Sequence, residues 1–497
     1  MHSALIYPLI IPFITGLVAY FFRTSKSINW FIGFIGLLAL LAANISLLVD
    51  VQQHQILVLQ PGNVVAPFGI SFVADYLSVS MLMLTVVIAL ASWIFAAQYL
   101  NEDYYHTGLT TIFSMLIFGI NGAFLTGDIF NLYVWFEVIL ISSFALFIIR
   151  GNPTKLDAAI KYVAINLLAT LTFLLAVAML YGLTGSLNMA ELHMSLQKVD
   201  QPLIKQTIIV LFIIALGIKA AVFPLFFWLP ASYHTLPVPI VAFFAGIMTK
   251  VGVYAFIRLF TLIFPLTAFN QNLLLWIAGL SMLVGVFGAM ARFKIKSILA
   301  FHSISQIGFM MMGLAIMTPL SLLGTLFYMV HHGLVKSNLF LISGIIKRFT
   351  DTDDLKSIGG LYKYMPGFAY LFLFSAFALA GFPPLTGFWG KLILFKASLA
   401  TEVSNYAITA AALITGILTT LSMLKIWNYA FWSPRKPGKR LVLRLTVAEK
   451  MSLFSPVILT SLIIFYIGIN AEALLVFLEQ AVAQLLNPQI YTSKVLP

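Results

Sequence analysis

Residues 206–229 read QTIIVLFIIALGIKAAVFPLFFWL. The run is long enough to cross the roughly 30 Å hydrocarbon core of a bilayer as one helix. Its interior nevertheless holds a cation, Lys219, and five residues later a proline, Pro224. Proline removes a backbone hydrogen bond and frees carbonyls, and in lipid these persist only where protein, polar side chains or water satisfy them. Taken singly, such a proline serves equally well as a simple kink. The pairing with an ionisable group at membrane depth, which is costly to keep there, is what marks the stretch as a candidate site.

Composition sets the environment around this stretch. Hydrophobic residues make up 61% of the 497 positions and charged residues 9%, against about 25% charged in soluble domains. Apolar segments run at 4–22, 28–49, 74–99, 108–126, 129–149, 159–182, 206–229, 237–264, 272–291, 295–317, 320–346, 367–398, 405–432 and 452–481. The expected fold is an all-α polytopic membrane protein of about fourteen transmembrane helices in one membrane domain. A β-barrel is excluded, because its strands alternate over about ten residues instead of staying apolar for twenty. No cysteine is present, which removes disulfides and thiolate chemistry. The start, Tyr7-Pro8-Leu9-Ile10, has no basic leader region before it and reads as a retained first helix.

The formal net charge of +12 is a matter of topology, and nucleic acid is not an expected partner. Arg23 and Lys26, then Arg150, Lys155 and Lys161, then Arg292, Lys294 and Lys296, then Lys347, Arg348, Lys356 and Lys363, and finally the six cations from Arg435 to Lys450 all fall on one side of a fourteen-helix chain. The other side holds only Lys198, Lys205 and Lys494. The excess of Lys and Arg on cytoplasmic loops then puts both termini on the extracytoplasmic side.

Glu137 is the one acid deep inside an apolar segment, the others falling at segment ends or between segments, and Lys219, Lys250, Arg258, Lys336, Lys391, Lys396 and Lys425 are the basic residues placed within such segments. Burial disfavours an ammonium and a nearby carboxylate favours it, so a lysine can be switched by moving its counter-ion. One acid cannot neutralise four lysines, so the surplus must be solvated, neutral or exchanging protons, although a fixed Glu137 pair with Lys219 or Lys250 is the simpler structural role. His332 and Lys336 share a helix face, while His331 points off it. His302 and His332 together offer only two ligands, so no metal site and no cofactor are expected. Arg258 and Lys425 stand near segment ends and are expected to snorkel, and Lys396 faces away from Lys391.

An internal repeat is visible. Phe136-Glu137 lines up with Phe301-His302, and the Pro224 break with Phe382-Pro383-Pro384, at offsets of 165 and 159 residues, or five helices. An odd number of helices inverts the second copy relative to the first.

Three stretches carry a family resemblance. They are Trp228-Leu229-Pro230-Ala231-Ser232-Tyr233-His234 leading to Lys250-Val251-Gly252, then Tyr328-Met329-Val330-His331-His332-Gly333-Leu334-Val335-Lys336, and then Ala380-Gly381-Phe382-Pro383-Pro384-Leu385-Thr386-Gly387-Phe388-Trp389-Gly390-Lys391. The chain resembles the antiporter-like subunits shared by respiratory complex I and the Mrp cation/proton antiporters, most closely the D-subunit family of Mrp-type Na+/H+ antiporters. The resemblance implies inverted repeats over 108–264 and 272–432, flanking helices in 4–99 and 452–481, and broken seventh and twelfth helices at Pro224 and Pro383. It implies a bacterial cell membrane, partner subunits of the A, B, C, E, F and G types, and H+ with Na+ as the transported ions. It also implies a proton path through Glu137, Lys219, Lys250, Lys336 and Lys391, with His302 and His332 as auxiliaries. Lysine at 391, where the most similar complex I subunit carries glutamate, weighs against that assignment. A complex I or membrane-hydrogenase pumping subunit, or a scaffold that transports nothing, are the other readings.

Overall fold

A computed structural model describes residues 3–400, 406–434 and 445–496. Among the described residues, fourteen helices cross the bundle. They are α1 (Tyr7–Phe21), α2 (Lys26–His54), α3 (Tyr76–Tyr99), α4 (Leu109–Leu125), α5 (Ile129–Ile148), α6 (Pro153–Thr184), α7 (Pro202–Ala220), α8 (Val238–Leu262), α9 (Ala268–Ala291), α10 (Ile295–Ile316), α11 (Pro319–Thr350), α12 (Pro366–Ala380, resuming at Thr386–Leu399), α13 (Tyr406–Ile426) and α14 (Val447–Ile469). Twelve stretches are long and apolar enough to span a membrane by themselves, and α4 and the first half of α12 are shorter apolar helices. The fourteenth segment ends sooner than its apolar run predicts. The chain turns at Asn470, and Ala471–Leu486 (α15) and Pro488–Val495 (α16) fold as separate helices.

Local chemistry fixes the helix ends. Asn152 accepts from the Lys155 amide ahead of Pro153 to start α6, and Gly185, in the left-handed region, stops it. Thr318 and Ser321 form a capping box that starts α11.

The loops sort onto two ends as the helix count requires. At one end the hairpin of Leu57–Leu59 with Phe72–Ala74 meets Thr126 through Phe72, and Asp128 bridges Asn188. At the other, Arg150 pairs with Asp103, Arg348 with Glu449 at 2.5 Å, and Lys294 bridges Asp354. The basic residues gather at this second end. Arg435, Lys436, Lys439, Arg440 and Arg444 lie outside the described residues.

The centre of the bundle is the pair α8 and α11, whose most apolar stretches are buried throughout. They touch backbone to backbone at two glycines. A Cβ on Gly246 would sit 3.3 Å from the Gly333 carbonyl oxygen, and one on Gly333 would sit 3.2 Å from that of Gly246. Small residues allow such approach where no water drives helices together. The crossing places Lys250 of α8 beside His332 and Lys336 of α11, which is why the fold matters to the site.

Candidate functional site

Both proline breaks are present, and the chain reaches them from opposite ends of the bundle. The α7 helix runs in from the end that holds Asn188, and α12 runs in from the basic end. The groups freed by each break are satisfied by neighbours, as the membrane interior demands. In the first, Ser281 of α9 accepts from the Phe223 amide at 2.8 Å and the Trp228 indole donates to the Ile218 carbonyl at 2.8 Å. In the second, the Lys391 ammonium donates to the carbonyls of Leu379 at 3.2 Å and Ala380 at 2.8 Å. A cation on the carbonyl end of a helix is favourable. Gly381 makes this possible, with φ at 98° and room for a Cβ only 3.0 Å from Lys391 Cδ.

Lys219 is anchored more loosely. Its ammonium lies 5.3 Å from the centre of the Phe136 ring. It borders a cavity of about 20 Å³ shared with Tyr162, Asn166 and Trp228, space for one water. Glu137 sits within electrostatic reach of Lys219, yet no ion pair joins them among the described residues. The glutamate is half-buried and lies on the face of α5 that also exposes Phe130, Val134, Ile141 and Ile148. The fixed Glu137–Lys219 or Glu137–Lys250 bridge is thus absent among these residues.

From Lys219 the polar residues continue inward. Lys250 is buried and donates to the Ala245 carbonyl at 2.7 Å. His332 and Lys336 are fully buried, and among the described residues no hydrogen-bond partner is offered to either ring nitrogen of His332, to Lys336 Nζ, or to the hydroxyls of Thr249 and Ser337. Buried groups of this kind are normally satisfied by water. Beyond them, His331 bonds Thr386 Oγ1 at 2.7 Å, at the start of the second half of α12, five residues before Lys391. His302 bonds Ser422 of α13 at 2.8 Å, and Gln306, one turn further, bonds Tyr328 of α11.

Two features differ from the sequence expectation. Arg258 does not snorkel: it is buried and pairs with Asp75 at 2.6 Å while donating to Tyr254 at 3.2 Å. Its carboxylate partner lies at the start of α3, so no local pattern announces the pair. His331, set aside for pointing off the Lys336 face, is the residue that ties α11 to the second break. Lys425, by contrast, does reach a helix end, donating to the carbonyls of Met290 at 2.7 Å and Arg292 at 2.6 Å.

Residues 126–419 match the family described as NADH:quinone oxidoreductase/Mrp antiporter, TM. A protein of Alkalihalophilus pseudofirmus, named as the D subunit of a Na(+)/H(+) antiporter, is 41% identical over 497 residues, all of both chains. Among solved structures, a chain of the Mrp complex from a Dietzia species is 30% identical with a TM-score of 0.91, covering all of both chains. A chain of respiratory complex I from Thermus thermophilus, 24% identical over 98% of this chain and all of its own length with a TM-score of 0.81, shares the fold.

Proposed function

Because the chain belongs to the family of membrane subunits common to NADH:quinone oxidoreductase and the Mrp antiporters, we propose that it is the proton-translocating subunit of a multi-subunit Na+/H+ antiporter. The observation that carries this reading is the buried line of Lys250, His332, Lys336 and Lys391, which links the two helix breaks across the α8–α11 crossing and whose central members have no hydrogen-bond partners among the described residues. A proton enters near Lys219, passes along the midplane through water and the His332–Lys336 pair, and leaves beyond Lys391. Helices 4 to 8 and 9 to 13 act as the two inverted repeats, and the opposite approach of α7 and α12 to their breaks supports this division. Glu137 tunes the first lysine.

The basic end faces the cytoplasm and both termini lie outside it, on the strength of the loop charges. Lys391 differs from Lys219 in being held by two carbonyls, which makes it the more static end of the path. Sodium wants several oxygen ligands, and the single carboxylate at membrane depth on this path does not supply them. The cation therefore crosses partly or wholly in another subunit. Reconstituted alone, this subunit should show no robust Na+ exchange in a vesicle flux assay, whereas the whole complex should. Exchange by the subunit alone at the rate of the complex would end this division of labour.

A further inference from the structure

At the basic end, a cavity of about 710 Å³ opens between the α7 break, the α9–α10 turn and the loop after α11. Phe226 and Phe301 supply an aromatic floor, and the exposed Phe227 lines the cavity as well. Its rim is cationic. The Arg292 guanidinium stands 5.5 Å from the Phe301 ring centre, and the Lys356 ammonium 4.4 Å from that of Phe293. Lys294 is the third cation, and none of the three makes an ion pair among the described residues. One carboxylate is present, Asp354, and one of its oxygens accepts the Lys356 amide at 3.1 Å. Three cations against this one lining carboxylate leave the cavity net positive, with Asp353 within electrostatic reach of His234 in its wall.

The surrounding surface indicates what such a cavity takes. Phe227 is 63% exposed, and the lateral face of α9 exposes Phe269, Trp276, Leu280 and Phe287 in one stripe whose last member precedes Arg292 by five residues. An apolar stripe leading to a basic pocket at the membrane surface matches a molecule with an acyl chain and an anionic head. A free phosphate would fill only a fraction of the volume and would leave the aromatic floor unused.

We propose that this cavity binds the phosphate headgroup of an anionic phospholipid, with its glycerol on the aromatic floor and an acyl chain along α9. The site lies against the α7 break through Phe226, whose ring centre is 6.5 Å from that of Phe301, the residue before His302. It depends on no step of the proton path.

The test is photo-crosslinking of the whole complex in vesicles containing a photoactivatable phosphatidylglycerol or the matching phosphatidylcholine. Phosphatidylglycerol should label peptides spanning 226–231 and 292–301, several-fold more than phosphatidylcholine, and excess inorganic phosphate should not displace it. The R292Q/K356Q double variant should lose most of that label, and the charge-retaining R292K/K356R variant should keep it. Equal labelling by the two lipids, displacement by inorganic phosphate, or absence of label from these peptides would overturn the proposal. Absence of label would mean that another subunit covers the cavity. The peptide map of the unaltered complex gives an answer even where a variant fails to assemble.

Discussion

A Glu137→Ala complex is expected to assemble normally and to show no cation-dependent proton transport in everted vesicles. Assembly should survive because Glu137 is half-buried on the outer stripe of α5 and its removal opens no core cavity. The loss is electrostatic. With an effective dielectric of about 20, two unit charges interact by about 4 kcal/mol at 4 Å and about half that at 8 Å. A displacement of a few ångströms therefore changes a lysine's proton affinity by roughly thirtyfold. Lys219 is the group poised to respond, since among the described residues only an aromatic ring and a one-water cavity hold it. Lys219→Ala should have the same phenotype, and Glu137→Gln, which keeps the size and removes the charge, should match Glu137→Ala. Transport at the normal rate in an assembled Glu137→Ala complex would remove the switch from the mechanism.

The second large effect concerns stability. Arg258→Ala leaves Asp75 buried without its cation, and breaking such a pair by removing one partner costs about 3–5 kcal/mol. Tyr254, which donates to the Phe124 carbonyl at 2.6 Å, also loses its contact with the guanidinium. The complex should be recovered in lower yield and with a clearly lower Tm. The double variant Arg258→Ala, Asp75→Asn should regain part of the loss, because the asparagine is uncharged and can still cap α3, whose Ser78 amide the Asp75 side chain accepts. An unchanged Tm for Arg258→Ala would show that the pair is solvated in the membrane.

The membrane helices are legible in the sequence because each needs about twenty apolar residues, and that constraint writes itself into the chain. The breaks are legible because each proline stands in mid-run within about two turns of an ionisable lysine, Pro224 after Lys219 and Pro383 before Lys391. The lysines of the path stand out by their cost in lipid. Side-chain pairing across the bundle does not. Asp75 and Arg258 are far apart in the chain, and nothing local in either segment requires the other. The outward placement of Glu137 is half-written in the sequence: Phe130, Val134, Ile141 and Ile148 recur with it on one helical face. Since α5 is apolar all round, however, no polar face sets the lipid side apart from the core side. The hairpin of Leu57–Leu59 with Phe72–Ala74 is too short to leave an alternating pattern.

His331 shows why neighbouring residues must be read on separate faces. His332 looks toward Lys336, and His331, about 100° round the helix, reaches Thr386 at the second break. The two histidines thus serve different contacts, one in the midplane line and one holding α12 against α11.

Proton movement through the centre of the α8–α11 crossing is the step on which the whole mechanism depends. The most direct test is proton flux, read with a pH-sensitive dye, in vesicles reconstituted with the whole complex carrying Lys336→Met, a substitution that keeps length and apolar packing and removes the ionisable group. The complex should assemble, and its sodium-driven proton flux should fall to the level of empty vesicles. Flux at the rate of the unaltered complex would contradict the mechanism, because no proton could then be required to pass by way of Lys336.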